Sequence, residues 1–148
     1  MAVEKKAVEL AELVKKRGYE VDVELVRLGA ILHDIGRSKT HGIKHGIEGG
    51  KILRKLGLPK LSKFAENHLG AGIPREEAVK LGLPARDFMP RTIEEKIVTY
   101  ADKLIEGNQV VEIGQILKRF ESELGSTHPA ITRLRKLHEE VMRMSRGG

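Results

Sequence analysis

The stretch Leu32-His33-Asp34-Ile35-Gly36 ends an apolar helical segment with an imidazole and a carboxylate on adjacent residues. An aspartate is costly to bury without a partner, and at a helix C-terminus it faces the negative end of the helix dipole. A divalent cation offsets both costs, because such an ion accepts neutral imidazole and carboxylate ligands together. The stretch therefore predicts a metal site at the end of a central helix.

A second inward-facing carboxylate is expected later in the chain, where Asp102 interrupts an otherwise apolar helical stretch. Three further histidines extend the set of candidate ligands. His41 and His45 are four residues apart, a spacing that places two ligands on one face if the segment is helical. His68 precedes a glycine-rich loop. These residues all lie near predicted helix ends, where binding sites are often built.

Each candidate ligand also has an ordinary structural explanation. A single buried histidine is more often hydrogen-bonded in a core than bound to a metal. Asp34 could accept a hydrogen bond from a backbone N–H in its turn, and Asp102 could pair with a Lys or Arg. His68 could interact with a helix C-terminus, while His41 and His45 could be solvated loop residues. The metal site is preferred because one known pattern of ligands accounts for several of these residues in their order along the chain.

The spacing of the apolar residues predicts an all-α fold. Val3, Ala7, Leu10 and Val14 follow helical steps of three and four residues, which places them on one buried stripe. Capping residues predict three further helix starts: the N-cap Asp22, whose helix ends at Gly36; the capping box Thr92-Ile93-Glu94-Glu95, whose helix ends at about Gly107; and Ser126 or Thr127 before the last helix. Other helices are predicted over 45–56, 60–69 and 110–124, and a short one after Pro74. No segment alternates with a period of two, so no sheet is expected. The prediction is a compact bundle of six to eight helices.

Length and composition exclude several classes of protein. The 148 residues fit one domain, and the absence of Cys excludes disulfides, iron–sulfur clusters and cysteine-based zinc sites. No apolar run approaches the roughly 20 residues that cross a bilayer, and the N-terminus lacks an apolar secretory segment. We therefore expect a cytoplasmic protein without a membrane partner. Few side-chain amides and many charged residues favour a heat-adapted source.

The net charge of +6 suits an anionic substrate, but it also suits a solvated, heat-adapted surface. Aromatic residues make up 3% of the chain, which argues against stacking platforms for single-stranded nucleic acid, so a nucleic-acid partner is not expected. The last predicted helix carries a group of basic residues: Arg133, Arg135, Lys136, Arg143 and Arg146. We expect a solvated basic face there, and an apolar stripe that packs on the core or forms a homodimer contact.

The motif Leu32-His33-Asp34-Ile35-Gly36-Arg37, followed by Ala101-Asp102-Lys103, resembles the HDIG-type members of the HD superfamily of metal-dependent phosphohydrolases. The segment from His45 to Leu53 is similar to the next conserved His and its helix of small residues, and His68 is similar to a further His of the multinuclear subgroups. The resemblance covers residues 3–106 and points to small stand-alone proteins of archaeal type. It implies a single HD domain over 1–148, with a C-terminal helical extension over 108–146.

The resemblance also implies the ligands and the reaction. His33, Asp34 and Asp102 would hold one divalent ion, and His45 and His68 would hold a second. Iron, manganese, nickel, cobalt and zinc are the candidate metals for this mixed ligand set. Metal-activated water, with Asp34 taking part in catalysis, would cleave a phosphoester or phosphoanhydride bond of a small phosphorylated substrate such as a nucleotide.

Basic residues beside the motif are candidates for binding the substrate phosphate. Arg37 follows the motif directly, and we expect it to contact phosphate in a bidentate manner and to assist catalysis. His41 and Lys103 are weaker candidates for the same contact. On a helix, Lys103 is expected to point elsewhere.

One departure from the family pattern keeps a second function open. The family's first ligand His would fall four residues before Val3, beyond Met1. The chain therefore either begins downstream of the natural start or lacks this ligand, and the alternative function is a metal- or nucleotide-binding module without turnover. A third alternative is a nucleic-acid-binding helical protein that uses the basic last helix, but it leaves Asp34 and Asp102 unexplained.

Overall fold

Eight α-helices dominate the part of the chain that the computed structural model describes, residues 1–146. They are α1 (Ala2–Lys16), α2 (Val23–Leu32), α3 (His45–Lys55), α4 (Ser62–Glu66), α5 (Arg75–Lys80), α6 (Ile93–Lys103), α7 (Ile113–Leu124) and α8 (Pro129–Arg146). Two short 3-10 helices, Ile35–Ser38 and Pro59–Leu61, precede α3 and α4. The predicted all-α class is confirmed. No helix in this described part is both long and apolar enough to cross a membrane.

Helix α1 lies at the centre of the packing, against α2, α6 and α8. Its predicted stripe is buried, with Val14 and Ala7 fully inaccessible to solvent. Complete burial of a Val or Leu side chain contributes about 1.5–3 kcal/mol, so this stripe drives the association of the surrounding helices. The result is a fixed frame in which the C-terminal ends of α2 and α6 come together.

Two predicted helix starts are confirmed by their caps. The Asp22 carboxylate accepts a hydrogen bond from the Leu25 backbone N–H at 3.0 Å. The Thr92 hydroxyl accepts one from the Glu95 backbone N–H at 3.1 Å, as a capping box requires. These local bonds orient α2 and α6, the two helices that carry His33 and Asp102.

The prediction that the chain has no sheet was wrong in one place. Ile105–Glu106 (β1) and Gln109–Val110 (β2) form an antiparallel pair joined by a two-residue turn. Gly107 has a φ of +62° in that turn, which favours glycine. Consequently α6 ends at Lys103 rather than at Gly107, and α7 begins at Ile113 rather than at residue 110. Two-residue strands are too short to show an alternating pattern in the sequence.

Three other helix boundaries also differ from the prediction. Helix α2 ends at Leu32 rather than at Gly36, and the 3-10 helix Ile35–Ser38 follows it. The helix expected over 60–69 is a 3-10 turn followed by the five-residue α4, because the chain turns away at Asn67. The cap of α8 is neither Ser126 nor Thr127. Instead, the His128 imidazole Nδ1 accepts a hydrogen bond from the Ala130 backbone N–H at 3.0 Å. A histidine rarely caps a helix, so the pattern of Ser and Thr pointed to the wrong residue.

Candidate metal centre

The HD motif lies where α2 ends and the chain turns toward α3. His33 is the residue at the C-terminal cap of α2, and Asp34 precedes the 3-10 helix Ile35–Ser38. Gly36 makes the turn possible, because a Cβ atom there would overlap the His45 carbonyl oxygen and lie 2.6 Å from the Gly49 backbone nitrogen. This close approach brings the end of α2 against the start of α3.

Five of the predicted ligands converge on one point. The Asp34 Oδ1 atom lies 3.1 Å from His68 Nε2 and 3.3 Å from His45 Nε2, and its Oδ2 atom lies 3.6 Å from His33 Nε2. Asp102 Oδ1 is 3.2 Å from His33 Nε2. The Nε2 atoms of His45 and His68 are 3.0 Å apart. Residues from α2, α3, α4 and α6 and the turns that follow them thus form a single cluster.

The three histidines share one orientation. In each ring, Nδ1 lies within hydrogen-bond distance of a backbone carbonyl on the preceding turn, which accepts a proton from it. The carbonyls and distances are Ala30 at 2.6 Å from His33, Gly42 at 2.9 Å from His45, and Ala65 at 2.8 Å from His68. A neutral ring that donates from Nδ1 carries a lone pair on Nε2. All three lone pairs therefore point at the cluster, as in a metal-binding histidine whose other nitrogen donates to the protein.

This arrangement leaves a deficit of positive charge or of protons at its centre. Asp34 Oδ1 is buried and receives no hydrogen bond from any residue within 1–146. The neighbouring Nε2 lone pairs of His45 and His68 face it and each other, which is repulsive unless something positive lies between them. His33, Asp34 and His68 each offer a ligand atom within 4.8 Å of the others. The donor set therefore fits a divalent metal ion, which would satisfy the orphaned oxygen and the lone pairs together.

The carboxylates are held in their charged form. Burial alone would raise the pKa of Asp34, but the imidazole rings of His45 and His68 beside its carboxylate and the charge of His33 hold it well below its usual range. Burial also acts to raise the pKa of Asp102, and the Lys103 ammonium and His33 outweigh it, so this pKa is likewise strongly lowered. Both groups are therefore available as anionic ligands across the physiological pH range.

The imidazoles respond differently to their surroundings. Burial would lower the pKa of His33, but its hydrogen bond with Asp102 and the negative charges of Asp102 and Asp34 raise it. Burial lowers the pKa of His68 and dominates the opposing effect of Asp34, with further lowering by His33 and Lys103. Relative to a free imidazole, His68 therefore gains a proton at a lower pH, whereas His33 gains one at a higher pH.

The structure places the predicted phosphate contacts in three different environments. Arg37 is about half exposed, and its Nε lies 3.4 Å from Asp34 Oδ2, at the mouth of the cluster. His41 is exposed on the loop before α3. Lys103 is buried, and its ammonium donates to Asp102 Oδ2 at 2.5 Å and to the His68 carbonyl at 2.8 Å.

Lys103 therefore points into the site, contrary to the expectation from its helical position. It joins two candidate ligands, Asp102 and His68, and leaves Oδ1 of Asp102 directed at His33. The sequence left open a pairing of Asp102 with a Lys or Arg, but it did not assign that partner to Lys103. A lysine beside an inward aspartate on a capped helix is a signal for it, because a buried carboxylate needs a cation.

The comparisons with known proteins agree with this geometry. A family described as the HD domain matches residues 1–107. An uncharacterized protein of Methanocaldococcus jannaschii is 57% identical over 142 residues, which cover 95% of this chain and 84% of that protein. No solved structure gives a significant match.

Two other relatives carry the name tRNA (cytidine(56)-2'-O)-methyltransferase. The protein of Picrophilus torridus is 46% identical over 121 residues, and that of Thermoplasma volcanium is 42% identical over 132 residues. The two matches cover 81% and 88% of this chain, but only 35% and 38% of the respective methyltransferases. The similarity is thus confined to about a third of each of those proteins.

Proposed function

The chain belongs to the HD domain family, as its HD motif predicted, and from that membership we propose that it is a metal-dependent phosphohydrolase. One observation carries the proposal. Three Nε2 lone pairs and an orphaned carboxylate oxygen of Asp34 face a common point, an arrangement that needs a cation. A bound divalent ion would lower the pKa of a water molecule and polarise a phosphoryl oxygen, which is the chemistry of phosphoester and phosphoanhydride hydrolysis.

The roles of the residues follow from their positions. His33, Asp34 and Asp102 would hold one ion, and His45 and His68 would hold a second beside Oδ1 of Asp34. Lys103 orients Asp102 and fixes the backbone at His68. Arg37, half exposed at the mouth, is free to exchange its contact with Asp34 for a substrate phosphate, because exposed ion pairs of this kind are weak.

Metal analysis and a hydrolysis assay test the proposal together. The purified chain is expected to bind Mn²⁺, Co²⁺ or Ni²⁺, and to release phosphate or a phosphorylated product from a panel of nucleotides and dinucleoside polyphosphates. Metal binding without turnover of any substrate would favour the alternative, a metal- or nucleotide-binding module. The absence of metal binding would contradict the hydrolase and leave a nucleotide-binding module as the alternative.

The two methyltransferase relatives favour an RNA context for this activity. Their printed names describe whole proteins, of which this chain matches about a third. We infer that the shared part is a domain that works beside a tRNA-modifying enzyme. The phosphate groups of RNA are thus candidate substrates, in addition to those of free nucleotides.

Metal affinity is expected to fall on acidification. His33 has a pKa raised above its ordinary 6.5, so as the pH falls through that pKa, its ring gains a proton and loses the lone pair that would bind metal. Each displaced proton costs about tenfold in affinity per pH unit below its pKa. Equilibrium dialysis with Co²⁺ at about pH 8, 7 and 6 measures the effect. A dissociation constant that stays constant across this range would exclude histidine ligands. His138→Gln, outside the cluster, should leave the dependence unchanged.

A further inference from the structure

The positive charge of the protein is concentrated in one stretch of the chain. Residues 35–63 contain eight basic residues and one acidic residue, a net charge of +7, whereas the whole chain carries +6. The remaining residues therefore carry a net charge of −1. This segregation is unlike a solvated surface with mixed charges, in which both signs are interspersed.

The fold gathers much of this charge along one groove. A groove of about 910 Å³ runs along the exposed side of α3 and is lined by Lys39, Lys51, Arg54, Lys55, Glu48 and two apolar residues. Lys51 and Lys55 are four residues apart on α3, which separates them by about 6 Å along the helix axis. Lys39 faces them from the end of the 3-10 helix Ile35–Ser38, which packs on α3. Glu48 pairs with Lys51 at 3.4 Å, and the remaining basic side chains leave the groove with a net positive charge. A concave surface of net positive charge focuses the electrostatic potential and attracts an extended anion.

The groove adjoins the metal centre. Lys39 follows two residues after Arg37, whose guanidinium lies at Asp34, and α3 begins with His45. The Lys39 end of the groove is therefore the end nearer along the chain to the ligand cluster.

We propose that this groove binds RNA through its phosphate backbone, and that the phosphate acted on at the metal centre belongs to RNA. The inference rests on the proposed hydrolase function and names its substrate class. The chain has no Trp and only 3% aromatic residues, so recognition relies on phosphates rather than on base stacking and suits duplex RNA. A concave groove fits a curved backbone better than the flat surface of a membrane. This proposal departs from the expectation that a nucleic-acid partner is unlikely, and the experiment below decides between them.

A matched pair of triple variants tests the groove. The first is Lys39→Gln/Lys51→Gln/Lys55→Gln, and the second is Arg135→Gln/Lys136→Gln/Arg143→Gln on the exposed face of α8, which removes the same charge elsewhere. Arg54 is left intact, because it pairs with the buried Glu66 carboxylate at 2.7 Å and its loss would unfold the helix pair. Equal melting temperatures of the two variants and the parent establish that both are folded.

Binding is measured by fluorescence anisotropy with a labelled RNA duplex in EDTA, over a range of salt concentrations. The groove variant is expected to bind tenfold or more weakly than the parent, with the salt slope reduced by about 2 to 3, and the α8 variant is expected to bind like the parent. Equal losses in both variants would show non-specific attraction and overturn the proposal, as would a loss in the α8 variant alone. Tighter binding of DNA of the same sequence, of polyglutamate or of anionic vesicles would also overturn it.

Failure of this inference is distinguishable from failure of the proposed function. Nucleotide hydrolysis by the parent without RNA binding would refute the groove and leave the hydrolase intact. RNA binding in EDTA without metal binding or hydrolysis in any assay would refute the hydrolase. Metal-dependent cleavage or dephosphorylation of the bound RNA would support both.

Discussion

Asp34→Asn is expected to abolish metal-dependent hydrolysis while leaving the fold intact. The Asp34 carboxylate lies 3.3 Å from His45 Nε2 and 3.1 Å from His68 Nε2, and it also lies near His33. Removing its charge leaves His45 and His68 without the carboxylate that lies beside them, although Asp102 remains at His33. Loss of metal-based stabilisation worth several kcal/mol corresponds to a decrease of about 1000-fold or more in kcat/KM. Bound metal per chain, measured by elemental analysis, should fall in parallel.

The stability of the metal-free variant is expected to change in the opposite direction. The buried Oδ1 atom of Asp34 has no hydrogen bond among residues 1–146, and such an orphaned polar group is destabilising by about 1–3 kcal/mol. Asn at this position lowers that cost, so chemical denaturation in EDTA should show equal or greater stability. Glu112→Gln, an exposed carboxylate at the start of α7, is the matched control and should affect neither metal nor activity. Full activity of the Asp34 variant would refute the metal centre.

Among the glycine-to-alanine substitutions within residues 1–146, Gly36→Ala is expected to be the most damaging. The added methyl group would overlap the His45 carbonyl oxygen and approach the Gly49 backbone nitrogen to 2.6 Å, and neither is the end of a flexible side chain. Relief requires moving the start of α3, and with it His45, away from the end of α2. Overpacking of this kind costs about 3 kcal/mol or more, and metal affinity should fall with the displacement of His45.

Gly114→Ala provides the comparison for that prediction. Gly114 lies in the first turn of α7, and a Cβ atom there meets nothing within 4 Å. This substitution is expected to stabilise the protein by about 0.5–1 kcal/mol, since Ala loses less entropy than Gly on entering a helix. Urea denaturation of both variants measures the difference. If Gly36→Ala were as stable as the parent, the close contact between the 3-10 helix Ile35–Ser38 and α3 would not exist.

The helices and the candidate ligands could be predicted from the sequence because their signals are local. The stripe on α1, the cap at Asp22 and the capping box at Thr92 depend on residues three or four positions apart. Asp34 in the HD dipeptide and Asp102 could be recognised as candidate ligands because each is a carboxylate at a position where a helix buries its side chains. The short β1–β2 pair and the His128 cap gave no such pattern, and the prediction was wrong at both.

The sequence by itself determined that this is an all-α HD domain with imidazoles and carboxylates near helix ends. It also shows the excess of basic residues over 35–63. Only the fold shows that part of this positive charge lies along one groove. Only the tertiary structure decided that the three Nε2 atoms face Asp34, and that Lys103 points inward to Asp102. The physical reason is the separation along the chain. Caps and stripes depend on neighbouring residues, whereas His33 and Asp102 are 69 residues apart and meet because α2 and α6 pack on each other and on α1.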